Sequence, residues 1–263
     1  MHRTEAASAL YLREIALRRD KVPDFRQYPF DLPAVASLDR LVFDAKVTFL
    51  IGENGSGKST LLEAIAVALG FNPEGGSRHF RFGTRPSHSE LHEYLRVVRS
   101  VVRPRDGYFL RAESYYNVAT EIENLDKIPA AGPPIAPAYG ARALHEQSHG
   151  ESFLALVQHR LRGHGLYLLD EPEAALSPVR QMALLSRLHA LVQASSQFII
   201  ATHSPILLAY PGAAIYHLDS SGMNRTTYED TEHFRVTRDF LNRYPSMLKE
   251  LLNDGDGGLF HSD

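Results

Sequence analysis

The chain contains no cysteine among its 263 residues, which excludes disulfides and thiolate metal sites and leaves no visible redox chemistry. It also lacks a basic excess. With 28 Lys plus Arg against 31 Asp plus Glu, nucleic-acid binding by bulk electrostatics is not expected, although a local basic patch is compatible with these totals. No apolar run approaches the roughly 18 residues needed to cross a bilayer, and Met1 to Leu10 lacks the apolar centre of a secretory signal. These absences predict a cytoplasmic location and no intrinsic membrane span. Internal repeats and long heptad arrays are missing too, which excludes a solenoid and a coiled-coil arm.

What is present is ordinary for a globular chain: 44% hydrophobic and 22% charged residues. The length suits one continuous α/β domain over residues 1–263. Leu10 to Leu17 reads as an early strand, followed by a loop holding Pro23, Pro29 and Pro33. Val47-Thr48-Phe49-Leu50-Ile51 is β-branched and apolar on both faces, as a central parallel strand requires, and Leu61 to Leu69 is a run of helix formers stopped by Gly70. The region from about 72 to 147 is expected to be an inserted subdomain with a helix over Glu90–Val102, a strand at Tyr108-Phe109-Leu110 and a Pro-rich loop over Ile128–Ala138.

Beyond it, Ser152–Leu161 and Pro178–Gln193 predict helices, and Leu166–Leu169 and Phe198–Ala201 predict buried strands. A hairpin is expected around Ser220-Ser221-Gly222, then a mostly helical Thr231–Leu252 and a frayed tail over 253–263. Strands alternating with helices imply a parallel sheet.

Gly52-Glu53-Asn54-Gly55-Ser56-Gly57-Lys58-Ser59 matches GxxxxGK[ST] and stands between a buried strand and a helix start, where its mechanism needs it. Glycines let successive backbone N–H groups turn towards phosphate oxygens, and the helix N-terminus adds partial positive charge. Lys58 is expected to reach the β- and γ-phosphates of ATP, Ser59 to ligate Mg²⁺, and Thr60 to meet the α-phosphate. Leu166–Leu169 runs straight into Asp170 and Glu171, which places two carboxylates at the C-terminal edge of the sheet. Adjacent acids permit a division of labour, Asp170 holding Mg²⁺ through water and Glu171 polarising the attacking water. His203, after the Phe198–Ala201 strand, reaches the same edge and could contact the γ-phosphate or that water.

Read in order, Gly52–Thr60, Ser148-His149-Gly150-Glu151, Leu166–Glu171, Ala174-Ala175-Leu176-Ser177 and His203 resemble the Walker A, signature, Walker B, D-loop and H-loop of ABC-type ATPases. Glu151 in place of the transporters' usual Gln is similar to the SMC-like branch, and Ala138-Tyr139-Gly140 with His145–Glu151 resembles small stand-alone bacterial "AAA family" ATPases of that type. The resemblance implies a P-loop NTPase core with a parallel sheet, antiparallel N-terminal strands and an inserted helical subdomain. It further implies a homodimer formed on ATP binding, in which Ser148 and Gly150 of one subunit touch the γ-phosphate held by the other. Such a dimer is expected to act on a protein partner or on nucleic acid; the alternative is the ATP-binding subunit of a membrane transporter.

Two departures accompany the match. His149 stands where the family has its first signature glycine, and no Gln occurs between Thr60 and Gln147, so the metal contact expected from a Q-loop falls to Glu113 as the candidate. For the adenine, Phe25, Tyr28 and Phe30 are the candidate aromatics upstream of the phosphate loop.

Overall fold

The computed structural model describes residues 10–77, 89–111 and 149–253. Its centre is a six-stranded sheet in the order β5-β6-β7-β3-β8-β9. The strands are β3 (Val47–Gly52), β5 (Asp106–Arg111), β6 (Gly165–Asp170), β7 (Gln197–Ala201), β8 (Ala214–Asp219) and β9 (Gly222–Thr226). All neighbours are parallel except β9, which returns antiparallel on β8 as the expected hairpin.

Strands β3, β6 and β7 are buried along their whole length, which explains their unbroken apolar composition. Their side chains alternate between two cores. Leu50, Leu168 and Ile199 face α2 (Lys58–Ala68), while Phe49, Ile51, Leu169 and Ile200 face α3 (His149–His159) and α4 (Pro178–Gln193). This is a sheet sandwiched between helices, as the alternation of strand and helix in the sequence predicts.

A second, antiparallel sheet has the order β2-β1-β4, with β1 at Leu12–Leu17 and β2 at Arg40–Val42. Gln197, fully buried at the head of β7, staples the two sheets together. Its amide oxygen accepts from the backbone N–H groups of Tyr11 and Leu12 at 2.8 and 2.9 Å, and its amide nitrogen donates to Leu12 O at 2.9 Å. A buried amide satisfied in this way fixes the sheet's position at little cost.

The helix expected over Glu90–Val102 is not there. A 3₁₀ turn over Glu90–Tyr94 leads into β4 (Leu95–Arg99), which pairs with β1 so that Val97 lies opposite Ile15. Val97 and Val98 favour extended backbone, and a ready partner strand outweighs the weak helical pattern. The described part of 72–147 therefore gives β4 to the small sheet and β5 to the central one; residues 78–88 and 112–148 lie outside the described residues, as do 254–263 of the expected tail. Short helices at Pro33–Ala36 (α1) and Pro205–Leu208 (α5) complete the core. The last helix, α6 (Glu232–Asn253), bends at Arg243, two residues before Pro245.

Candidate nucleotide site

Sheet order alone gathers the expected motifs. β7 lies between β3 and β6, and its Ala201 is in register with Leu50 on one side and Asp170 on the other. The loop leaving β3, the acids ending β6 and His203 just past β7 therefore meet at one edge, where open α/β sheets bind ligands.

The segment after β3 turns at Gly52, where an added Cβ would fall 2.2 Å from Leu218 O, so β8 approaches too closely for any side chain. Gly55 and Gly57 adopt φ of +82° and +95°, which permits the tight curl into α2. Lys58 is only 4% exposed, and its ammonium donates to Gly52 O at 2.7 Å and Glu53 O at 2.8 Å. Burial pushes the Lys58 ammonium below its ordinary value, opposed by Glu171, Asp170, Glu173 and Glu53. A cavity of about 390 Å³ opens beside Glu53, Asn54, Gly55 and Ser56 and is also lined by His217 and Glu232.

Ser59 Oγ donates to Asp170 Oδ1 at 2.9 Å. Asp170 is 7% exposed, and Arg111 at the end of β5 brings Nε to 3.7 Å from its Oδ2 while Nη1 bonds the buried Glu63 of α2 at 2.5 Å. The next residue, Glu171, sits in the left-handed region at φ +48°, ψ +52°, with its N–H donating to Ala201 O at 2.9 Å. Such a backbone costs on the order of 1–3 kcal/mol in a non-glycine residue. It turns the Glu171 side chain outwards, 40% exposed, with Oε1 3.9 Å from His203 Nε2.

His203 is held from two directions that the sequence does not single out. Its backbone N–H donates to Glu173 Oε1 at 2.5 Å, and its Nδ1 lies 3.2 Å from Nε2 of His233, the second residue of α6. Burial holds both imidazoles below their usual value; nearby Lys58 adds to this for His203, and His203 itself adds to it for His233. Glu173 stands two residues past the acidic pair but is not singled out by the motif, and nothing in the local sequence distinguishes His233 from the other histidines. Arg111 and Glu63 likewise join the site only through tertiary packing.

At the start of α3, an added Cβ at Gly150 would meet Ala175 O at 2.5 Å and Arg180 Nη1 at 2.6 Å, so the signature glycine packs on the loop that follows Glu171. Arg180 also pairs with Glu151 at 3.2 Å. Ser148 and Glu113 lie outside the described residues. Of the aromatics, Phe30 is buried against Tyr94 and Phe25 lies under the Arg19 guanidinium at 4.4 Å, whereas Tyr28 is 64% exposed. Tyr28 lies shortly before Leu32 and Ala34, whose side chains pack on Gly57, and the Ala34 N–H donates to Ser56 O at 3.0 Å.

A phosphate-loop strand, an acidic strand end and an intervening histidine strand on a parallel sheet define a P-loop enzyme that hydrolyses ATP. A family profile described as "AAA domain" matches residues 24–124, and one described as "AAA domain, putative AbiEii toxin, Type IV TA system" matches residues 138–209. The chain is 30% identical over 203 residues to "Putative ABC transporter ATP-binding protein TTE0246" of Caldanaerobacter subterraneus subsp. tengcongensis, covering 70% of this chain and 82% of that one. It is 29% identical to "Cobalt import ATP-binding protein CbiO" of Rhodobacter capsulatus, covering 69% and 68% of the two chains. Over 71 residues it is 38% identical to "DNA repair protein RAD50" of Drosophila melanogaster, 27% of this chain and 5% of that one. The chain belongs to the ABC-type P-loop ATPases, as the order of its motifs predicts.

Proposed function

We propose that this ATPase works as an ATP-sandwiched homodimer whose closure on ATP and opening on hydrolysis drive a conformational change in a protein partner or on nucleic acid. In this reading the amides of Gly52–Thr60 and the Lys58 ammonium hold the triphosphate. The hard oxygens of Ser59 and Asp170, which meet at 2.9 Å, fit a magnesium ion and would hold it, Asp170 through water. Magnesium, when bound, would supply charge neutralisation for the phosphates. Glu171 polarises the attacking water, His203 contacts the γ-phosphate, and Glu113 provides the further metal contact left by the missing glutamine. Tyr28, 64% exposed, is the proposed platform for the adenine.

The observation that carries the dimer is the outward set of Glu171, 40% exposed at the edge of the site. Hydrolysis in the dark of a closed site is favoured because excluded water strengthens every charge interaction there, and a second subunit presenting Ser148 and Gly150 provides that closure. The packing of Gly150 on Ala175 supports this, because it joins the signature turn and the loop after Glu171 into one rigid surface. Sedimentation velocity of the Glu171→Gln protein tests it: a dimer with magnesium and ATP and a monomer without are expected, and a monomer at saturating ATP contradicts the proposal.

A second reading, the ATP-binding subunit of a transporter, is favoured by the names of two relatives. Glu151 and the absence of Gln between Thr60 and Gln147 favour the first. No helix of the described residues is long and apolar enough to cross a membrane. A membrane subunit co-purifying with the Glu171→Gln protein from its native host would support the transporter reading.

A further inference from the structure

His203 and His233 come from segments 30 residues apart and meet at 3.2 Å, with ring centroids 5.4 Å apart. The start of α6 is pinned there by contacts of its own. Tyr228 OH donates to Pro205 O at 2.9 Å, its ring packs on Phe234 at 4.7 Å, and the Phe234 N–H donates to Thr231 Oγ1 at 3.2 Å. His233 is therefore presented to His203 by a closed circuit of packing and does not merely brush against it.

The chemistry of that contact determines where the protons are. Burial depresses both imidazoles, so both are neutral near pH 7, and a bond between Nδ1 of one and Nε2 of the other needs a proton on only one of the two atoms. If His203 Nδ1 carried it, His203 Nε2 would be a bare lone pair facing the Glu171 carboxylate at 3.9 Å and the anionic phosphate site. If His233 Nε2 carries it, His203 Nε2 becomes an N–H aimed at those negative charges, and His233 Nδ1 is left as a lone pair. His203 Nε2 and His233 Nδ1 are both buried and without a hydrogen-bond partner among the described residues. A donor waiting for a phosphate oxygen and a weak acceptor left bare is the less costly arrangement.

We propose that His233 is a positioning residue for hydrolysis: its Nε2–H donates to His203 Nδ1 and so fixes the His203 proton on Nε2, facing the γ-phosphate. The proposal rests on the site assignment made above for ATP hydrolysis. It also makes the first turn of α6 part of the hydrolytic apparatus. A displacement of that helix breaks the bond and releases the wrong tautomer into the site.

Long-range proton–nitrogen spectra of the ¹⁵N-histidine-labelled full chain test it without turnover, with the His203 signals assigned by their loss in His203→Gln. His203 is expected to carry its proton on Nε2, and in His233→Phe to become a mixture of tautomers. In steady state His233→Phe is expected to lower kcat about tenfold, the scale of an orienting partner, with KM for ATP within about twofold. His233→Gln, whose amide places a donor near the lost Nε2–H, is expected to recover most of the rate. A His203 proton on Nδ1 in the wild-type chain overturns the proposal, as does His233→Phe leaving tautomer and kcat unchanged, or Phe and Gln lowering kcat equally. A wild-type chain that shows the expected tautomer and releases no phosphate overturns the hydrolytic reading, so the two failures are distinct.

Discussion

The Ser59 hydroxyl donates to the Asp170 carboxylate across 2.9 Å, joining the first turn of α2 to the end of β6 over a sequence separation of 111 residues. This contact makes one site of two motifs. It predicts that Ser59→Ala and Asp170→Asn raise the magnesium concentration needed for half-maximal hydrolysis by about tenfold or more, because a hydrogen bond or ligand to a charged group contributes about 1.5–3 kcal/mol. A magnesium titration of phosphate release reads the shift. Unchanged magnesium dependence in both variants contradicts the assignment.

Lys58 is buried with its ammonium turned onto Gly52 O and Glu53 O, inside the curl of the loop. Lys58→Ala removes the charge proposed to neutralise the phosphates and is expected to weaken ATP binding by about tenfold or more, since charge-assisted bonds are about twice as strong as neutral ones. Titration with a fluorescent ATP analogue measures this. Wild-type affinity in the variant counts against the loop as the phosphate cradle.

Gly150 has no room for a methyl group beside Ala175 O and Arg180. Gly150→Ala is expected to lower folding stability by about 1–3 kcal/mol, the usual cost of overpacking. Thermal unfolding checks this, and an unchanged midpoint shows that the α3 start moves freely against that loop.

The depressed imidazoles of His203 and His233 set a pH dependence. Each binds its proton more readily in the unfolded chain, near the ordinary pKa of about 6.5, than in the folded one. Their contribution to stability is therefore fully present above about pH 6.5 and is lost as pH falls through the lower folded values. Lys58 faces both imidazoles and His203 and His217 also face His233, all adding to the depression, while Glu171 and Glu173 at His203 and Glu232 at His233 only moderate it. Chemical denaturation between pH 7 and 5 is expected to show a steeper loss for the wild-type chain than for the His203→Gln, His233→Gln double variant. Parallel curves contradict this.

The sequence made legible what short spacing encodes. Lys58, Ser59, Asp170 and Glu171 stand inside motifs whose flanking strands are apolar throughout, and those strands are buried as expected. β4 was misread because five residues with Val at two positions satisfy a weak helical pattern, and only pairing with β1 decides between the two. His233, Arg111 and Glu63 carry no local signature, since each joins the site through contacts made after the chain has folded. The choice of Tyr28 over Phe25 and Phe30 likewise needed their exposure, which composition does not reveal.

The most direct test of hydrolysis at this edge compares phosphate release and retained ATP in the wild-type and Glu171→Gln chains. The account predicts steady release from the wild type, no release from Glu171→Gln, and ATP affinity retained or increased in the variant. Equal release from both chains contradicts it, because the carboxylate proposed to activate water would then have no part in the reaction.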